Sequence, residues 1–202
     1  MSRTVAQNQK IKEARKDKIR EAALRQFAAK GFAATRIQDI AKSADMAQGL
    51  LYHYYPSKEA IFTDLIEDAL NKLNEACLYV RNLDSAAIDK LWIFISELIK
   101  TIETSDRFRQ TCCLIAQAEN PSLLPANAKQ RLDEKRDLPY KIIAEVMKQG
   151  QDEGSLVDGS PHDLAVLFWS SINGLSIYRA TRQNAGPMPE ARFLAGMFKK
   201  KI

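Results

Sequence analysis

Cysteine, histidine, glycine and proline are all scarce in this chain. Among 202 residues stand 3 Cys, 2 His, 8 Gly and 7 Pro. Three cysteines, two of them adjacent (Cys112 and Cys113), cannot build a disulfide framework. A stapled scaffold is therefore excluded, and a reduced, cytoplasmic setting is expected. His53 and His162 have no Cys or carboxylate cluster at ligand spacing around them, so neither a metal nor a cofactor is expected. No glycine-rich phosphate loop and no nucleophile motif is present. The longest strongly apolar run, Leu91-Trp-Ile-Phe-Ile95, falls far short of the ~20 residues of a membrane-spanning helix. Met1 to Lys18 is polar and basic, without the apolar stretch of a secretory signal. What remains is ordinary globular composition, with 46% apolar and 27% charged residues, enough to bury a core.

Positive charge is unevenly spread. Met1 to Lys58 holds 12 Lys or Arg against 5 Asp or Glu, whereas Glu59 to Ile202 holds 18 against 20. The front third is thus either a polyanion contact or a solvated basic tail. The few glycines and prolines separate long segments of helical period, and no segment keeps strand alternation, which predicts an all-α chain of about nine helices. A first helix runs from about Lys16 to Lys30 and stops at Gly31. A short one through Ile37, Ile40, Ala41 and Ala44 has Thr35 placed to cap it. A third spans roughly Ala47 to Tyr54, before Pro56. Ser57 caps a fourth, reaching about Tyr79. Longer helices follow: Asp84 to Glu103, Asp106 to Glu119, Pro121 to Asp152 with a kink or break at Pro139, Pro161 to Arg182, and Pro189 to Lys200.

Two short helices crossing through a tight turn over Ile37, Ile40, Ala41 and Met46 make a helix-turn-helix. Its second helix presents Gln48, Tyr52 and His53 outward, where polar tips reach base edges and phosphates in a major groove. Gly49 leaves room for a DNA backbone, while Thr35 and Lys58 sit at helix N-termini suited to phosphate. Three near-consecutive tyrosines cannot all face a core, since a helix turns ~100° per residue. Tyr55, beside Pro56, is assigned to the core, and Tyr52 and Tyr54 to the surface.

These residues resemble the tetracycline-repressor (TetR/AcrR) family of bacterial regulators. The likeness rests on Phe27, Gly31, Phe32, Thr35, Ile40, Ala41, Ala44, Gly49 and Leu51-Tyr-His-Tyr-Tyr-Pro-Ser-Lys-Glu59, then Leu65. It implies DNA contacts from Gln48, Gly49, Tyr52, His53 and Tyr54, with Thr35 and Lys58 holding phosphates. Asp45 departs from the usual glycine, and either takes the left-handed turn conformation itself or caps the helix. Ala47 departs from the usual capping serine.

The resemblance divides the chain into a DNA-binding domain, residues 12–72, and a helical ligand-binding and dimerisation domain, residues 73–202. Large aromatics beside polar groups make Trp92, Phe108, Cys112, Trp169, Asn173 and Tyr178 candidate ligand residues. An apolar stripe of Leu164, Phe168, Ile172 and Leu175, with Phe193 and Met197, is the candidate homodimer interface. Three classes of function stand in descending order. The first is a dimeric regulator, a repressor released from a palindromic double-stranded DNA operator by a small-molecule effector. The second is a DNA-binding protein without an effector. The third is an enzyme, for which the required motifs are lacking. No membrane contact is expected.

Overall fold

The computed structural model describes residues 5–117, 126–182 and 186–201, and side chains at 5, 117, 126 and 127 are outside the description. Among these residues the regular structure is all helical, apart from one isolated bridge between Leu156 and Lys199. The helices are α1 (Val5–Ala34), α2 (Ile37–Ser43), α3 (Gln48–Tyr54), α4 (Lys58–Arg81), α5 (Ala87–Thr104), α6 (Asp106–Gln117), α7 (Ala126–Asp152), α8 (Pro161–Thr181) and α9 (Ala191–Phe198). The positions before Ala126 where a start at Pro121 was expected lie outside the described residues. No helix among them is long and apolar enough to cross a membrane.

The chain divides into two compact units, Met1–Asp68 with Leu114–Lys129, and Ala69–Cys113 with Gln130–Ile202. The sequence predicts a single boundary at 72/73 instead.

The first unit packs α1 to α3 and the start of α4 around Ile19, Phe27, Ile40, Leu51, Ile61 and Phe62, all fully or almost fully buried. Phe27, Phe32 and Phe62 form a ring triad with centroids 4.9–5.5 Å apart. Gly31 takes φ 77°, a conformation that L side chains rarely adopt, and breaks α1 one turn before its end. Elsewhere in this unit, Arg20 reaches Asp17 at 2.6 Å and Asp64 at 3.0 Å. Tyr55 is 4% exposed, as its place beside Pro56 predicts, and its hydroxyl donates to Asp64.

The second unit is built on α5, α7, α8 and α9 with the end of α4. Phe168 lies at its centre, 5.9 Å from Phe94, 5.1 Å from Trp169 and 6.2 Å from Phe198 between ring centroids. Of the kink or split expected at Pro139, the split is absent: the proline sits inside one continuous helix. Proline has no N–H to give the carbonyl four residues back. Here that carbonyl, on Lys135, accepts from the side-chain amide of buried Asn74 at 3.1 Å. After Asp152 the chain folds back on α7: the backbone N–H groups of Ser155 and Leu156 both donate to the carbonyl of Gly150. A Cβ at Gly150 would come within 2.3 Å of the Leu156 side chain, so only glycine admits this close approach.

Candidate nucleic-acid interface

The helix-turn-helix begins at Arg36, whose backbone N–H donates to Asp39 at 3.1 Å. That hydrogen bond, together with Lys30 at 3.2 Å, holds the Asp39 carboxyl below its usual range. Arg36 is therefore the cap residue of α2, and the assignment of Thr35 to that role is corrected. Asp45 at φ 52° makes the turn, having taken the left-handed option rather than capping α3. It sits between the α2 C-terminus, where Ala44 N–H donates to Ile40 at 2.8 Å, and α3. Asp tolerates this conformation better than most residues, which explains how the position does without glycine.

α3 is two turns long and buries one side chain, Leu51. Tyr52 is 47% exposed, His53 and Gly49 are exposed, and Gln48 is half-buried. Nothing stands within 4 Å of a Cβ built at Gly49, so the surface there is bare. Tyr54 is half-buried, and its hydroxyl accepts from Arg15 of α1 at 3.0 Å. A short helix anchored by one leucine, with a polar face turned outward, has the dimensions of a major-groove reader.

Both expected phosphate holders are placed differently. Thr35 is 1% exposed, and its hydroxyl is directed to the carbonyls of Gly31 at 2.7 Å and Gln26 at 3.2 Å. It closes the broken end of α1 and has no hydroxyl proton left for a phosphate. Lys58 Nζ donates to the carbonyls of Phe32, Ala33 and Thr35 at 2.9–3.2 Å, over the Phe32 ring. An ammonium has three donors, and all three are used on these carbonyls at the end of α1.

Sequence reasoning missed the role of α1 beside α3. Asn8, Ile11, Lys12 and Arg15 join His53 and Tyr54 in lining a groove of about 450 Å³. The signal is present as a run of basic residues, but a helix start at Lys16 leaves that run outside the helix.

The candidate ligand residues separate into two groups. Trp92 is 45% exposed, Tyr178 is 45% exposed beneath Arg182, and Asn173 is exposed. These three face outward and do not line the interior. Phe108, Cys112 and Trp169 turn inward: Phe108 packs on the core, and burial, partly offset by a hydrogen bond to Ser176, pushes the Cys112 thiol up to about 11. Trp169 is 4% exposed with no hydrogen-bond partner for its indole N–H among the described residues. Its ring lies 6.2 Å from Tyr140, one turn along α7 from Arg136. Two guanidinium nitrogens of Arg136 are likewise buried and unpartnered, though its Nη1 lies 3.5 Å from Asp133. Arg136 and Tyr140 do not stand out in the sequence.

The dimer stripe also needs correction. Phe168 and Ile172 are 0% and 1% exposed, and Leu164 and Leu175 pack on the unit's own core. The exposed apolar side chains of α8 are Val166, Leu167, Ile177 and Tyr178, while Phe193 and Met197 of α9 are 63% and 58% exposed. Among the described residues no group of three or more His, Cys, Asp or Glu stands together as a metal site.

With this geometry in place, comparison with known proteins gives a consistent answer. Residues 19–65 match the family model described as bacterial regulatory proteins, tetR family. Residues 19–65, the helix-turn-helix end of the chain, are thus a tetR-family domain. Its helix-turn-helix unit resembles that of IcaR, the negative transcriptional regulator of the biofilm operon icaADBC in Staphylococcus aureus, with 34% identity over 44% of this chain and 47% of IcaR. The match thus spans about half the length of that curated relative. YfiR of Bacillus subtilis, an uncharacterised HTH-type transcriptional regulator, is 26% identical over 80% of this chain and 78% of its own. Among solved structures, AibR in complex with isovaleryl coenzyme A and operator DNA superposes with TM-score 0.72 at 18% identity, over 91% of this chain and 95% of AibR. That likeness is one of fold.

Proposed function

We propose that this chain, with its tetR-family domain, is a dimeric, cytoplasmic transcriptional repressor, not an enzyme, that binds a palindromic operator and is released by a small-molecule effector held in its second unit. The observation that carries this reading is α3: one buried leucine fixes it, and Gln48, Gly49, Tyr52 and His53 are left on its outer side. Basic charge concentrated in the front third supplies the phosphate-directed part of affinity. IcaR, named a negative regulator, supports repression.

The effector belongs to the inward group, Phe108, Cys112 and Trp169, now joined by Tyr140 and Arg136. Buried N–H groups without partners are costly, about 1–3 kcal/mol each or more when charged, and a bound ligand removes that cost. That AibR was solved with an acyl coenzyme A supports an effector of some kind on this fold. The homodimer face is the exposed apolar set of α8 and α9, Leu167 and Ile177 with Phe193 and Met197. Apolar surface of that extent on two helices is what an isologous interface buries.

The test is DNA binding to duplexes selected by the wild-type protein from a random pool. Gln48→Ala and Tyr52→Ala each cost about 1–3 kcal/mol of specific binding and relax sequence preference. Thermal stability changes little, since Tyr52 is exposed and Gln48 is half-buried at the first position of α3. A wild-type protein that selects no sequence from the pool removes the proposal.

A further inference from the structure

The first turns of α1 bury little in their own unit. From Ala6 to Lys18 every residue is exposed except Ile11 and Lys16, which are half-buried. An isolated helix without an apolar face is marginal in water, so such a segment gains most from a partner that its surface chemistry suits. Its surface is cationic: Lys10, Lys12, Arg15, Lys16 and Lys18 stand against Glu13 and Asp17. Asn8, Lys12 and Arg15 recur at helical spacing on one face, and that face forms the groove with His53 and Tyr54 of α3. Arg15 ties the two helices together through the Tyr54 hydroxyl. Among the described residues no carboxylate lines this groove.

We infer that the groove between α1 and α3 seats the sugar-phosphate backbone of DNA, making the first turns of α1 a second DNA-binding element beside α3. This rests on the DNA-binding reading above and extends it to residues outside the helix-turn-helix. Charge complementarity and continuity with the outward face of α3 select the occupant. Lys12 and Arg15 supply charge-assisted donors to phosphate oxygens, and the Asn8 amide adds a neutral one. The groove supplies position and affinity and does not read base sequence. With a rise of about 1.5 Å per residue, the overhang reaches roughly 20 Å along the backbone, beyond what two-turn α3 covers.

The experiment uses the full chain and a duplex selected from a random pool by the wild type. Lys12→Gln with Arg15→Gln is expected to weaken binding about tenfold while keeping the selected sequence. The slope of log affinity against log salt falls by about 0.9 for each phosphate that is no longer neutralised. Hydroxyl-radical protection disappears only at the outermost nucleotides. Asn8→Lys, which adds a cation on the same face, is expected to tighten binding several-fold and steepen the slope. Circular dichroism and melting are expected to match the wild type for both variants, since the side chains are exposed. Unchanged slope and unchanged protection in both variants overturn the inference. Gln48→Ala separates the two levels: if it relaxes sequence preference while the α1 variants do nothing, only the groove fails. If the wild type selects no sequence at all, the DNA-binding reading fails with it.

Discussion

At the scale of single residues, two side chains change meaning once their surroundings are known. Lys58 reads in the sequence as a helix-start cation free for phosphate, yet its ammonium spans the end of α1 through three carbonyls. Those partners lie 23–26 residues earlier, beyond any local pattern. Lys58→Ala is therefore expected to lower the stability of the first unit by about 1–3 kcal/mol, leaving carbonyls of α1 unpaired. A melt of the variant checks this, and an unchanged midpoint accompanied by a lower salt slope restores the phosphate role. Cys112 raises the question of thiol sensing. Burial pushes its pKa to about 11, so only about one thiol in a thousand is ionised at pH 8. Cys77, fully buried where Cys112 is half-buried, is pushed up to about 12. Reaction of these two with a disulfide reagent at pH 8 is expected to be slow in the native protein and fast after denaturation. Rapid native labelling of Cys112, mapped by mass spectrometry, contradicts an inert role.

Among the elements, α8 shows best what sequence could and could not reveal. Its limits follow from Pro161 in the first turn and Ser160, whose hydroxyl accepts from Asp163 N–H at 3.3 Å, and both signals are local. Its orientation is another matter, because apolar residues occupy nearly every side. The stripe of Leu164, Phe168, Ile172 and Leu175 and the set of Val166, Leu167 and Ile177 are similarly hydrophobic, and only packing tells them apart. Trp92 on α5 misled for the same reason. By contrast, the outward placing of Gly49, Tyr52 and His53 on α3 was legible, although Leu50 and Leu51 stand side by side and only packing shows that Leu51 is the buried one. Gly31, Asp45 and Tyr55 were legible because backbone conformation and a neighbouring proline act within a few residues. The proline in α7 was seen, but its accommodation by Asn74, 61 residues from Lys135, was not. These assignments separate two substitutions at adjacent positions. Phe168→Ala is expected to cost about 3–5 kcal/mol, by removing a ring at the centre of the second unit. Leu167→Glu is expected to give folded monomers in sedimentation, whose melt falls only by the stabilisation that association supplied. Should Leu167→Glu remain a dimer, the interface lies elsewhere.

For the whole molecule, the proposed regulation requires that effector and operator bind competitively through one protein, and linkage makes this quantitative. If the effector lowers operator affinity by some factor, operator DNA must lower effector affinity by the same factor, commonly about 5–150-fold, or about 1–3 kcal/mol. Arg136 offers a way to separate the two functions. Its buried, unpartnered nitrogens belong to the second unit, while the residues proposed to read DNA belong to the first. Arg136→Met keeps much of the length of the side chain and removes the donors. With a panel of straight-chain, branched and aromatic carboxylates as probes, wild-type operator binding is expected to weaken in the presence of at least one member. The same member is expected to raise the melting temperature, and amides of the same skeletons to do less. Arg136→Met is expected to bind the operator as the wild type does, yet to lose its response to that carboxylate. Calorimetric titration with and without operator then checks reciprocity: equal factors in the two directions identify a single coupled equilibrium. A variant that still responds fully removes Arg136 from the effector site. A wild type that responds to neither acids nor amides leaves a DNA-binding protein whose second unit serves dimerisation alone.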